Sequence, residues 1–216
     1  MPDSTRPRPT IECKPNGPYL VTELPSLWNS RGEALPTRGR MALCRCGGSA
    51  NKPFCDGTHA RNGFSGDRLQ AEPPASAGVE YRGKRVTITD NRSVCAHAGR
   101  CTDGLPRVWS TASEPWIDAD GAEPEAIRAV VRACPSGALA CSIDGVDCAT
   151  PEREPAITVA KDGPYAVVGG PDLRDEVTHQ TPASPEHYTL CRCGGSKNKP
   201  FCDGTHWHIG FRDEQG

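Results

Sequence analysis

The chain has 216 residues, with 25 lysines and arginines against 27 aspartates and glutamates and a formal net charge of −2, a balance that gives no basic field for nucleic acid. The opening MPDSTRPRPT has no apolar signal core, and no stretch approaches the eighteen or so apolar residues of a membrane span, so twelve cysteines point to metal in a reducing, cytoplasmic setting rather than to a secreted disulfide scaffold. Hydrophobic residues at 36%, aromatics at 6%, 23 glycines and 21 prolines leave little material for one large core, and bound metal is expected to carry part of the folding free energy.

In chain order, residues 1–10 read as a disordered tail, because Pro2, Pro7 and Pro9 prevent a helix there. A first unit at 11–66 holds the string CRCGGSANKPFCDGTH at 44–59. Cys44 and Cys46 project from a short loop, whereas Cys55 and His59 stand four apart, on one face of a helical turn opening at Asp56. Three thiolates and an imidazole suit zinc or an iron-sulfur cluster. Two donors from each of two elements can grip the two irons of a 2Fe-2S cluster, one iron per pair, while structural zinc more often uses two knuckles of closely spaced ligands. Gly47 and Gly48 would let backbone N–H donors approach the cluster sulfides. Arg45, Lys52, Arg192, Lys197 and Lys199 read as solvated charges beside the sites.

A linker at 67–78 leads to a middle block, 79–146. Lys84 to Thr89 alternates polar and apolar residues as a strand does, and Ile127, Val130 and Val131 lie at helical spacing behind Pro124. Cys95, Cys101 and Cys134, the last followed by proline, are candidate cluster ligands of this block. After a second linker at 147–154, the unit at 155–213 repeats the string as CRCGGSKNKPFCDGTH at 191–206, changed only from Ala50 to Lys197. Roles given to the first copy therefore pass to Cys191, Cys193, Cys202 and His206. Cys13 and Cys141 read as small buried hydrophobes, and Cys148 as a linker thiol.

Both strings resemble the motif of the CDGSH iron-sulfur family of the mitoNEET type, with Thr58 and Thr205 where the name-giving pattern has serine. The resemblance extends to Asn16-Gly17-Pro18-Tyr19 and Asp162-Gly163-Pro164-Tyr165 upstream and to Gly63-Phe64 and Gly210-Phe211 downstream. It implies a 2Fe-2S cluster per copy, held by Cys44, Cys46, Cys55 and His59 and by Cys191, Cys193, Cys202 and His206. The middle block resembles divergent single-cluster ferredoxins in which Ala98 fills the slot of the second cysteine. Cys95, Cys101 and Cys134 would then hold a 3Fe-4S cluster, or a 4Fe-4S cluster completed by His97, an exogenous ligand or another cysteine; the plainer alternative is buried thiols in a small α+β domain.

The expected fold is α+β, two small β-rich CDGSH units flanking a small α+β ferredoxin-like domain. No nucleophile–base pair, phosphate loop or paired-carboxylate pattern suggests a catalytic centre of its own. Electron transfer is the leading expectation, with a redox or cluster-acceptor protein as partner and neither nucleic acid nor membrane. Cluster storage or transfer through acid-labile His59 and His206 ligation, and a zinc-stapled interaction module, are the alternatives. By the same resemblance the chain should be a monomer whose two CDGSH units pair about an internal pseudo-twofold.

Overall fold

A computed structural model describes residues 8–69 and 78–213. Among these, twelve strands form three four-stranded sheets, with three short α-helices. Positions 1–7 of the expected tail and 70–77 of the first expected linker lie outside the described residues. At 8–10 the expectation of disorder fails, because Arg8 Nε donates to Gly170 O at 3.0 Å and Thr10 opens a strand. Leu69 is likewise held, donating its N–H to Lys197 O at 2.9 Å.

The first sheet is a meander of β1 (Thr10–Cys13), β2 (Tyr19–Thr22) and β4 (Arg40–Leu43). The second is a meander of β9 (Ala156–Val159), β10 (Tyr165–Val168) and β12 (His187–Leu190). Each takes its fourth strand from the other copy. β11 (Asp172–Asp175) runs parallel beside β1, Thr10 facing Asp172, and β3 (Ser26–Trp28) runs parallel beside β9, Ser26 facing Ala156. The tight turns before β2 and β10 place Asn16 and Asp162 at φ 46° and 49°, a left-handed conformation that Asn and Asp tolerate better than other side chains.

Period-two alternation sends one face of β1, β2, β9 and β10 into a single interior, and all four residues of β12 are buried. Ile11, Tyr19, Val21, Leu27 and Leu43 of the first copy meet Ile157, Tyr165, Val167, Tyr188, Leu190 and Phe201 of the second in one core. The two copies are therefore not separate small domains with cores of their own. A three-stranded sheet of this size buries too little alone, and strand exchange merges the two apolar faces. At the centre the rings of Tyr19 and Tyr165 meet edge to face, 6.1 Å apart. The Tyr19 hydroxyl lies 2.8 Å from Cys191 O and 3.0 Å from Pro200 O; that of Tyr165 lies 2.9 Å from Cys44 O and 3.0 Å from Pro53 O.

The third sheet joins β5 (Val79–Arg82), β6 (Val86–Asp90), β7 (Leu139–Ile143) and β8 (Val146–Asp147) in antiparallel order. The expected strand in 79–90 is a hairpin, β5 with β6. α2 (Pro124–Ala133) packs on it and α1 (Arg100–Gly104) packs on α2; Pro124 stands at the first turn of α2, and Ile127 and Val131 are buried around Trp109. Asp147 belongs to β8 and Cys148 packs on the same core, so the chain leaves this domain later than 146. Val94 and Ala138 enter the core shared by the two copies, which seats the middle domain against them. No helix among the described residues is long and apolar enough to cross a membrane.

Where the copies cross, Cys46 and Cys193 form an isolated antiparallel bridge. A Cβ on Gly47, at φ 75°, would sit 2.6 Å from Cys193 O, and one on Gly194, at φ 78°, 2.6 Å from Cys46 O. Two predictions follow from this packing. Tyr19→Phe should lower the unfolding free energy by about 1–3 kcal/mol, because two interior carbonyls lose their shared donor; urea unfolding followed by circular dichroism would read it, and an unchanged midpoint would refute it. Gly47→Ala should cost about 1–3 kcal/mol more than Gly32→Ala, since Gly32 has a similar φ of 78° but open space around a new Cβ, so equal losses would deny the crossing its role.

Candidate metal centres

In each copy the donor-bearing segments extend the end of a strand. Cys44 N–H donates to Pro53 O at 2.8 Å and Cys55 N–H to Ala42 O at 2.9 Å, laying the second segment beside β4. Cys191 N–H to Pro200 O at 2.9 Å and Cys202 N–H to Thr189 O at 3.1 Å repeat this beside β12. The Asp56 carboxylate then ties the two donor elements together, accepting from Ala50 N–H at 2.9 Å and from Thr58 N–H at 3.0 Å; Asp203 does the same with Lys197 at 2.9 Å and Thr205 at 3.0 Å. The expected helical turn is a 3-10 turn, Thr58–Ala60, in the first copy and a short α3 (Thr205–His208) in the second. Gly57 and Gly204, rather than the aspartates, occupy the capping position.

The candidate donors stand in pairs. Cys44 Sγ is 3.9 Å from Cys46 Sγ, and Cys55 Sγ is 3.3 Å from His59 Nδ1. In the second copy the same separations are 3.7 Å and 3.4 Å. Among the described residues no three His, Cys, Asp or Glu converge as they would around a single ion. Two pairs, one from a loop and one from a turn, fit a binuclear cluster better than the one tetrahedron zinc demands.

Backbone N–H groups crowd the sulfurs, as Gly47 and Gly48 suggested. Gly48 N–H reaches Cys46 Sγ at 3.4 Å and Gly57 N–H reaches Cys55 Sγ at 3.4 Å. Gly47 carries a second constraint that sequence did not reveal, the close passage of Cys193. The Cys191 thiol is pushed down to about 6, first by its hydrogen bond with Cys193 and then by the Ser196 and Gly194 amides, and Cys193 is pushed up in return. Burial raises Cys202 and Cys44, and burial followed by the nearby Arg192 charge lowers His206, which favours its neutral, metal-binding form.

Not all the expected solvated charges are solvated. Arg45 and Arg192 are each 1% exposed. Arg192 donates to Gly163 O and Ala160 O, both at 2.6 Å, and pairs with Asp213. Arg45 spans Lys14 O at 3.3 Å and Gly66 O at 3.2 Å, with Tyr19 and Phe64 rings under its guanidinium. Planar, always charged guanidinium suits such burial because its faces stack on rings and its fork reaches several carbonyls, although Arg45 Nε finds no hydrogen-bond partner among the described residues. Lys199 is also buried, donating to Ser196 O at 2.7 Å; Lys52 makes the matching 2.6 Å bond to Ser49 O, and Lys197 is exposed.

In the middle domain Cys95, Cys101 and Cys134 line one cavity of about 230 Å³. Cys95 follows a 3-10 turn, Arg92–Val94, Cys101 lies in α1 and Cys134 caps α2. Ala98 lines the same cavity, so the slot left without a thiol faces the space the other three enclose. His97, held at φ 53°, lines it too. Arg92 Nη1 is 3.8 Å from Cys95 Sγ, and Ser136 Oγ is 3.5 Å from Cys134 Sγ. Three thiols around one hollow fit a cubane cluster with a corner the protein leaves without thiolate. Of the remaining cysteines, Cys13 is 1% exposed in the shared core. Cys148 is not a loose linker thiol: its N–H donates to Cys141 O at 2.9 Å, and burial with the Cys148 thiol alongside lifts Cys141 to about 12. Neither Cys141 nor Cys148 lines the cavity.

Comparison with known proteins agrees with this geometry. The family described as "Iron-binding zinc finger CDGSH type" matches residues 16–60 and 162–207, and "Divergent 4Fe-4S mono-cluster" matches 81–144. The protein named "Uncharacterized protein YjdI" in Escherichia coli (strain K12), and its counterpart in Escherichia coli O157:H7, are each 32% identical to this chain over 59 residues, 27% of this chain and 78% of theirs. No solved structure matches. With paired donors in both repeats and three thiols around the cavity between them, the chain belongs to the CDGSH iron-sulfur family, as two CDGSH units flanking a divergent 4Fe-4S mono-cluster domain.

Proposed function

We propose that this protein is a one-electron carrier holding two 2Fe-2S clusters and one cubane cluster. Cys44, Cys46, Cys55 and His59 would hold the first, Cys191, Cys193, Cys202 and His206 the second, and Cys95, Cys101 and Cys134 the third. The observation that carries this reading is contiguity. The Cys46–Cys193 bridge joins the two CDGSH sites, and His97 of the middle cavity lies against Gly204, whose Cβ, if present, would be 2.9 Å from the imidazole Cδ2. Such clusters supply one-electron chemistry without bond making. The protein's part is to set their potential and exclude water. Replacing one thiolate by neutral imidazole removes a negative charge from the ligand set. The potential of each CDGSH site should therefore fall between the roughly −400 mV of all-cysteine plant-type clusters and the about −150 to +300 mV of two-histidine centres. Backbone donors on the sulfurs shift it upward as well.

A second reading, delivery of a cluster to an acceptor protein, is favoured by the half-exposed Cys55 and His59 of the first copy. Incubation with an apo-ferredoxin separates the two: an electron carrier reduces a loaded acceptor and leaves the apo form empty.

Anaerobically purified protein should contain about seven to eight irons and about eight sulfides per chain, with little zinc. An unreduced sample with seven irons and a paramagnetic signal would assign 3Fe-4S to the middle site; eight irons without it would assign 4Fe-4S. Zinc without acid-labile sulfide would overturn the redox reading. Cys134→Ala should remove the three or four irons of the middle site and keep about four with four sulfides. Unchanged iron in that variant would discard the third cluster.

A further inference from the structure

We propose that the two CDGSH copies have divided their work. The first copy is the port through which the chain trades electrons with an outside protein, and the second is an internal station between the middle centre and the first copy. This rests on the iron-sulfur reading above and goes beyond it by ordering the sites.

The two strings differ at one position, yet their surroundings differ systematically. Cys202 is 2% exposed and His206 4%, whereas Cys55 and His59 are half-buried. Asn198 and Gly204 are buried, whereas Asn51 is exposed and Gly57 half-buried. With the donor sets identical, the asymmetry comes from what covers them. The middle domain covers the second copy: Asn198 Nδ2 donates to Ser93 O at 2.5 Å, two residues before Cys95, and His97 closes over Gly204. Near Cys134, a Cβ on Gly137 would lie 2.9 Å from His187 O, so the same domain also abuts β12. Trp207, itself 62% exposed, adds a flank on the solvent side, its ring centroid 5.5 Å from that of His206, and Ile209 packs at Gly195 beside Cys193. Ala60 holds the equivalent place beside His59 and shields nothing comparable.

The order of sites is thus middle centre, second copy, first copy. An electron from a low-potential one-electron donor protein, taken up at the centre that Cys95, Cys101 and Cys134 would hold, would pass to the one that Cys191, Cys193, Cys202 and His206 would hold and then across the Cys46–Cys193 bridge to the first copy. It would leave for a one-electron acceptor protein at the half-exposed Cys55 and His59 edge. Each transfer oxidises one centre by one electron and reduces the next by one, with no bond made or broken.

The test is release of iron from the loaded, full-length chain to bathophenanthroline disulfonate, a bulky anionic chelator of ferrous iron, with excess ascorbate present to reduce ferric iron as it leaves, followed by absorbance. Apart from the three or four irons of the middle site, which Cys134→Ala identifies by their loss, two irons should leave first and the second copy's two later. The two rates should differ by about tenfold, or about 1.4 kcal/mol in the free energy of exposing the site. Trp207→Ala should speed the later phase and leave the first unchanged. Ala60→Trp should slow the first phase. Both positions are exposed, so both variants should fold. Reduced protein should also show a magnetic interaction on the slowly released CDGSH signal that disappears in Cys134→Ala. Four CDGSH irons leaving in one phase that neither variant alters would overturn the division of labour while leaving the cluster assignment intact. Starting protein without sulfide-bound iron would overturn both.

Discussion

Two buried tyrosine hydroxyls hold the molecule to its design. Each belongs to one copy and reaches the backbone that carries the other copy's candidate donors, Tyr19 at Cys191 and Pro200, Tyr165 at Cys44 and Pro53. Pro53 O and Pro200 O also accept an N–H within their own copy, so the tyrosine hydroxyls matter most at Cys44 O and Cys191 O, where the loss of a donor in the interior makes each donor loop depend on the partner copy's core being in place. Strand exchange, the shared core and the pairing of the sites are therefore one cooperative arrangement. The buried arginines extend it, since Arg45 and Arg192 follow the first loop cysteine of each copy and tie that loop to the turn before β2 or β10.

Much of the candidate chemistry was legible because ligand sets are local in sequence. Cys-x-Cys and Cys-x3-His place donor pairs by spacing alone, and the structure keeps those pairs at 3.3 to 3.9 Å. Cys95, Cys101 and Cys134 are far apart in the chain and were grouped by their resemblance to a ferredoxin pattern; the fold brings them to one cavity. The strand around Lys84–Thr89 and the helix behind Pro124 were readable from periodicity, and the α+β class followed from the family resemblance.

What escaped sequence is what depends on contact between distant segments. Nothing in Thr10–Cys13 announces that Asp172–Asp175 will lie beside it, because parallel pairing leaves no local turn signal. Arg45 and Arg192 read as surface charges, since burial of a guanidinium is decided by carbonyls and rings supplied from elsewhere. The repeated Asn-Gly-Pro-Tyr and Asp-Gly-Pro-Tyr strings were the one available hint, a tyrosine kept at the same offset in both copies. Gly47 was noticed for the right flexibility and an incomplete reason. The unequal burial of two strings with the same candidate donors has no sequence signal in the donors themselves.

Carrying both copies on one chain has a consequence for what a third domain can do. A homodimer built from this unit would be bound by its twofold axis to present both sites in the same environment, and any protein docked on one would have an equal claim on the other. Here the insertion lies between the copies in sequence, enters the core they share, and covers the donor turn of the second alone, so equivalence is broken. The local concentration of each copy for the other is fixed by covalent connection, and the pairing does not loosen on dilution. Fusion thus frees each site to be shaped separately: two sites with the same ligands can acquire different potentials, lifetimes and clients through their neighbours alone.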